Sequence, residues 1–236
     1  MNKIEPTYLR YIYDGLNKGS INSQNASSLP NGFIGLFEEA FSSDKSVSER
    51  SSLLKRLGLW ALFKGPVSCD FVCKILEEDE EKTKALVDEY SKWFNSPSPG
   101  KYILYHDRLR TYLLQKLSNH ESQALNEKII SHLEQAIENG LQDEAEEYAL
   151  EHLSTHMYVE SQLDKNYERF HEYVNNEVLW PRQIQVSKEY KWSQDGVQKS
   201  IKEAARRHDE INMLKSSLNS IKLMQEEENS LSDVIS

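Results

Sequence analysis

The segment Tyr105-His106-Asp107-Arg108-Leu109-Arg110 follows the β-prone residues Tyr102-Ile103-Leu104 and sets an imidazole between an apolar strand and a helix start. There His106 can donate to a phosphate oxygen while Asp107 caps the helix. Arg108 and Arg110, with Lys101 nearby, form a modest basic cluster able to meet an anion. The same residues also read more plainly, as a strand-end histidine beside a solvated basic surface.

Other spacings suggest less. His152 and His156 stand four apart, which is ligand spacing on a helix, but the phrase His-Leu-Ser-Thr-His lacks the glutamate that metalloprotease chemistry needs after its first histidine. Packing or partner contact fits them better. Cys69 and Cys73, the only two cysteines, share an apolar run and read as buried thiols in a reducing compartment. A zinc site would need two further ligands, so no metal is expected. Arg206-Arg207-His208 falls near a helix end, where cations meet a favourable dipole.

Two surfaces bear on nucleic acid. The chain carries a formal charge of −10 with a pI near 5.3, and phosphate neutralisation supplies most non-specific affinity for nucleic acid. The run Glu77-Glu78-Asp79-Glu80-Glu81 at the end of the second helix of residues 48–118 would repel duplex phosphate. A protein or small-molecule partner is therefore expected. No stretch approaches the ~20 apolar residues of a membrane span, and the N-terminus lacks a basic start followed by an apolar core, so a cytoplasmic location is expected.

The elements that must position these residues are mostly helical. Glycine and proline are scarce and fall between segments of helical period. A first helix opens at Pro6; a polar loop follows over 20–28; a short amphipathic helix carries Phe33, Leu36, Phe37, Ala40 and Phe41. From Ser48 the apolar face Leu53, Leu54, Leu57, Trp60 and Ala61 marks a helix stopped by Gly65-Pro66. Ser68 caps the next, with Phe71, Val72, Ile75 and Leu76 inward, and a third runs over 80–94. Dense turn chemistry over 95–100 precedes a strand at 102–105, with Trp93 and Phe94 supplying its hairpin partner, and a closing helix holds Leu109, Tyr112, Leu113 and Leu117. Three helices, a hairpin and a closing helix describe a winged helix. Beyond it, helices are expected over 120–139, ended by Gly140, then over 143–158, 163–179, 193–208 and 209–225, as a bundle or solenoid-like array. Tyr148, Tyr158, Tyr167, Tyr173 and Trp180 fill either its core or a recognition surface. Three successive glutamates and several serines make residues 226–236 a disordered tail.

The proline-led helix, the Leu29-Pro30 segment, the three helices before a hairpin and the phrase Leu104-Tyr105-His106-Asp107-Arg108-Leu109-Arg110 together resemble the NACHT and NB-ARC signalling ATPases, from the end of their P-loop core onward. In that family a Gly-x-Pro helix contacts the adenine side of the nucleotide, and a Met-His-Asp motif closes over the phosphates. The resemblance implies that Pro6 and His106 contact ADP or ATP, with Tyr105 in the methionine's place and Asp107 completing the motif. Glu147-Tyr148-Ala149-Leu150-Glu151-His152-Leu153-Ser154-Thr155-His156-Met157 resembles the helical region after the winged helix in propeller-bearing relatives. One departure outweighs these matches: the chain contains no Gly-x-x-x-x-Gly-Lys-Ser/Thr, and Pro99-Gly100-Lys101 lacks the upstream glycine and is followed by tyrosine.

The expected protein is thus mainly α: a helical segment over 1–47, a winged helix over 48–118, an α-helical array over 119–225 and the tail. The expected function is regulatory, without catalysis or a cofactor of its own. The winged helix would gate the nucleotide of a P-loop core in cis, and the array would bind a protein partner or self-associate. A stand-alone helical adaptor is the alternative.

Overall fold

The computed structural model describes residues 12–13, 16–17, 34–35, 37–38, 41, 46–140, 142–164 and 166–235. Pro6 and the expected loop over 20–28 lie outside the described residues. Of the two expected N-terminal helices, the described positions are helical, and Phe37 is buried between Trp93 and Tyr112 with ring centroids 5.5 Å from each.

Helix α1 (Val47–Leu62) starts with a capping box, in which Ser46 and Glu49 satisfy each other's backbone N–H, and its apolar period buries Leu53, Leu57, Trp60 and Ala61. Strand β1 (Val67–Ser68) follows, then α2 (Cys69–Leu76) with Ser68 as its N-cap. Helix α3 (Glu80–Glu89) is capped by Asp79, and a 3₁₀ turn (Ser91–Trp93) leads into β2 (Phe94–Ser98). Gly100, at φ 75°, turns the chain into β3 (Lys101–Leu104), and α4 (Asp107–Lys116) closes the unit.

The sheet is antiparallel in the order β1-β3-β2, with Val67 opposite Tyr102 and Phe94 opposite Leu104. That element order and that strand order make a winged helix. Three details differ from the sequence reading. A third strand joins the hairpin, because a two-residue strand is too short to show alternation. The third helix ends at Glu89 rather than reaching Phe94. The acidic run does not end a helix: Glu77 is the left-handed C-cap of α2 and Asp79 the N-cap of α3.

The array begins with α5 (Asn119–Asn139), which has its own capping box from Ser118 and Glu121 and ends at Gly140 in the left-handed region, φ 59°. Helix α6 (Glu144–Asp164) packs back along it. The single helix expected over 163–179 is interrupted instead. α7 (Glu168–Val174) is short, and Trp180-Pro181 opens α8 (Trp180–Ser187) rather than stopping a helix, because a proline in the first turn lacks only an N–H that had no intrahelical partner. Helices α9 (Lys191–Arg207) and α10 (Glu210–Ile235) pair closely. α10 runs through the expected tail, where Gln194 donates to Glu227 at 2.7 Å and ties the extension to α9.

One apolar core runs from the winged helix through α5, α6 and α7, and a second, small one gathers Trp180, Val197 and Leu223. Tyr148, Tyr167 and Trp180 are buried, and Tyr158 and Tyr173 pack against the main core, so these aromatics fill the interior. Among the described residues no helix is long and apolar enough to cross a membrane.

Candidate functional site

Strand β3 delivers Tyr105, His106 and Asp107 to the start of α4. The Tyr105 N–H donates to the Trp93 carbonyl at 2.8 Å, carrying the hairpin ladder one residue past β3, while its side chain stands mostly in solvent. Its ring meets the His106 imidazole edge-on, with centroids 4.3 Å apart. His106, half-buried and extended at φ −118°, is the N-cap of α4 but makes no side-chain capping bond. Asp107 is therefore not the cap expected of it. It is the first helical residue, where a carboxylate still faces the positive end of the helix dipole.

The basic cluster does not assemble. Arg110 turns inward and donates to the carbonyl oxygens of Ala61 (3.3 Å) and Phe63. These belong to the last turn of α1 and its C-cap, which carries no glycine, so the guanidinium satisfies carbonyls that the helix leaves open. Lys101 faces Glu144 of α6 at 3.5 Å. Arg108 remains on the exposed side of α4.

A second polar constellation, built around His156, joins the winged helix to the array. The Lys64 N–H donates to the Tyr148 hydroxyl at 2.8 Å, which lies 3.1 Å from His156 Nε2; His156 Nδ1 lies 2.8 Å from Asn126 Oδ1. Asn126 Nδ2 donates to the His156 carbonyl (3.2 Å) and to Glu160 (2.9 Å), so its oxygen must face the imidazole. That oxygen only accepts, so Nδ1 carries the proton, and Tyr148 donates to Nε2 while accepting from Lys64. Burial, reinforced by Lys64, lowers the His156 pKa to about 3 and that of His152 to about 4, so both rings are neutral. Burial likewise raises the Tyr148 pKa.

Strand β1 and the loop before it are gripped here as well. Ser68 donates from its N–H (2.9 Å) and hydroxyl (2.5 Å) to Glu144, and Gly65 lies so close to His152 that a Cβ would fall 2.6 Å from Nε2. The four-residue spacing of His152 and His156 thus serves the domain junction. The ring nitrogens of His156 meet Tyr148, eight residues back on the same helix, and Asn126, 30 residues away on α5, and His152 packs on Gly65; the last two are remote in sequence, so no local pattern reveals them.

A third polar cluster lies where α7, α9 and α10 meet. Ser200 Oγ is 2.6 Å from both His171 Nδ1 and Ser216 Oγ; Asn175 donates to Ser216 (2.9 Å), and Asn219 donates to Asn175 (2.9 Å). A serine against an imidazole has the composition of a nucleophile and its base. Ser200 is fully buried and His171 nearly so, so no substrate carbonyl can reach the hydroxyl and the pair holds helices together.

Cys69 and Cys73 are both buried on α2, and burial pushes the Cys69 thiol up to about 11, away from reactivity. Among the described residues no group of three or more His, Cys, Asp or Glu side chains could hold a metal ion. The chain matches no family model, no curated protein and no solved structure.

Proposed function

We propose that this chain is the nucleotide-state-sensing, regulatory part of a NACHT- or NB-ARC-type signalling ATPase of the cytoplasm, with no catalytic activity of its own. The observation that carries the reading is the position of Tyr105-His106-Asp107 at the exit of β3, inside a winged helix and half open to solvent. A P-loop core in cis would hold ADP or ATP, and His106 would donate to a phosphate oxygen in the closed, resting state. Arg110 and Tyr148 support the coupling step. The first fastens α4 to α1 and the second fastens the loop after α1 to α6, so a shift of the winged helix carries the array with it.

The reading requires the genomic frame upstream of Met1 to encode a P-loop ATPase. In that full-length protein, losing a hydrogen bond to a charged group removes ~1.5–3 kcal/mol from the closed state, roughly a ten- to hundredfold shift. His106→Ala should accelerate ADP release by that factor and switch the protein on without its trigger. An unchanged release rate would reject the gate. The alternative, a stand-alone helical adaptor, draws support from the outward apolar face of α10.

A further inference from the structure

The β2–β3 hairpin carries the two Ser-Pro dipeptides of the chain, Ser96-Pro97 and Ser98-Pro99. The second extends to Ser98-Pro99-Gly100-Lys101, with a basic residue three positions beyond its serine. Turn formation accounts for Pro99-Gly100 but asks for no lysine after it. A proline-directed protein kinase uses all three features: proline brings no backbone N–H that the kinase pocket must satisfy, and the lysine meets an acidic subsite.

The hairpin presents this motif openly. Residues 95–100 are all exposed, and nothing in the structure holds the Ser98 hydroxyl, whereas Ser96 Oγ donates to the Ser98 carbonyl at 3.0 Å. Strand β2 lies at the edge of the sheet, and its register with β3 skips from Asn95 opposite Ile103 to Ser98 opposite Lys101, leaving out Ser96 and Pro97. A single pair, Ser98 with Lys101, therefore closes the tip. Opening residues 96–100 into the extended form that a kinase cleft binds uncovers no buried side chain, so it is among the cheapest local openings of the fold.

We propose that Ser98 is a phosphorylation site for a proline-directed serine/threonine kinase using ATP. The Ser98 hydroxyl oxygen attacks the γ-phosphorus, the new O–P bond forms as the bond to ADP breaks, and the hydroxyl proton passes to the catalytic carboxylate of the kinase. When the tip recloses, Ser98 and Lys101 stand directly opposite on antiparallel strands, so their side chains share one face of the sheet. Lys101 otherwise faces Glu144 of α6 at 3.5 Å. At neutral pH a phosphate carries about twice the charge of a carboxylate, and it draws the ammonium to itself. Phosphorylation thus removes one tie between the sheet and the array and leaves Glu144 to Ser68 alone. The site is independent of the nucleotide reading, since it uses neither Pro6 nor His106.

Incubating the full chain with a purified cyclin-dependent kinase and magnesium ATP, then mapping phosphate by tandem mass spectrometry, tests the site. One phosphate per chain should appear on Ser98. Ser98→Ala should remove most of the incorporation, Ser96→Ala should leave it nearly unchanged, and Lys101→Ala should slow it several-fold. Phosphorus NMR should then place the second ionisation of the phosphate at lower pH in the wild type than in the phosphorylated Lys101→Ala variant, because the ammonium favours the dianion. A chain left unmodified while a free peptide of residues 94–104 is phosphorylated would show that the tip does not open. No phosphate on either, or equal phosphate on Ser96, rejects the motif, and an ionisation indifferent to Lys101 rejects the link to Glu144.

Discussion

The two ends of this molecule are held by different physics. Around α1 the interior is aromatic: Trp60 lies 5.9 Å from Phe63 and 5.0 Å from Phe94, Phe63 lies 5.6 Å from Phe71, and all three contacts are edge-on. Around α9 the interior is a seam of Ser193, Ser200, Ser216, Asn175, Asn219 and Gln183 beside the small apolar cluster of Trp180, Val197 and Leu223. Aromatic burial removes large apolar area from water and tolerates small displacements. A hydrogen-bonded seam adds ~0.5–1.5 kcal/mol per bond yet is unforgiving in geometry, because each buried donor without an acceptor costs ~1–3 kcal/mol. The winged helix is thus fixed by area and the last helices by register.

The largest effect that breaks this contrast should come from the aromatic end. Trp60→Ala and Leu57→Ala remove fully buried side chains and should each cost ~2–5 kcal/mol, with Trp60 toward the top of that range. Urea unfolding monitored by far-ultraviolet circular dichroism measures it. A loss below ~0.5 kcal/mol for either would mean that the face is not core.

Acid probes the junction between the two ends. His152 and His156 have folded pKa values of about 4 and about 3, below the ordinary 6.5, so the unfolded chain binds protons that the folded chain refuses. Their contribution is fully present above pH ~6.5 and drains away as the pH falls toward 4, at up to ~1.4 kcal/mol per pH unit for each ring. Burial lowers the pKa of His132 and His171 in the same sense. The urea midpoint should therefore drop steeply between pH 7 and pH 5. His156→Gln should flatten that slope while lowering the midpoint at pH 7. A wild-type midpoint indifferent to pH across that window would show that these rings are not buried.

How legible each end was in the sequence follows from the same contrast. Leu53, Leu57, Trp60 and Ala61 mark α1 because an apolar core imprints its period on the residues that fill it, and Ser68 and Gly140 mark helix ends through chemistry confined to one turn. A polar seam leaves no such imprint. Ser200, Ser216 and Asn219 look like surface residues, while Ile211, Leu214, Leu218 and Ile221, which look like core, face outward. Arg110 reads as an anion ligand until α1, 47 residues away from it at Phe63, presents its carbonyls. Tyr105-His106-Asp107 was visible at a strand end, although which residue caps α4 depends on backbone geometry that the sequence does not carry.

Within the seam, Ser200→Ala should cost ~1–3 kcal/mol, since it strips the partner from His171 Nδ1 and one of two partners from Ser216 while leaving almost no cavity. An exposed Ser→Ala change elsewhere, such as Ser51→Ala, should fall within ~0.5 kcal/mol. Equal effects for the two would dissolve the distinction between seam and surface. Hydrogen exchange should also report the Ser200 loss first in α9 and α10, with α1 protected, because the seam opens without the aromatic core.

The smallest expected effect is at His106. Its side chain makes no capping bond to α4, it is half-buried, and the aromatic core beneath it is built from other residues. His106→Ala should therefore change the stability of this chain by no more than ~0.5 kcal/mol, in the range of ordinary surface substitutions. The neighbouring Arg110→Ala is the control. Its guanidinium satisfies carbonyls of Ala61 and Phe63 at the end of α1, so its loss should cost ~1–3 kcal/mol, although the two residues are four apart on one motif. A His106 change as costly as the Arg110 change would make the histidine part of the scaffold, and its use as a phosphate contact would lose its main support. A silent His106 beside a costly Arg110 would mean that the fold keeps an imidazole at the start of α4 without needing it for stability, as a gate residue requires.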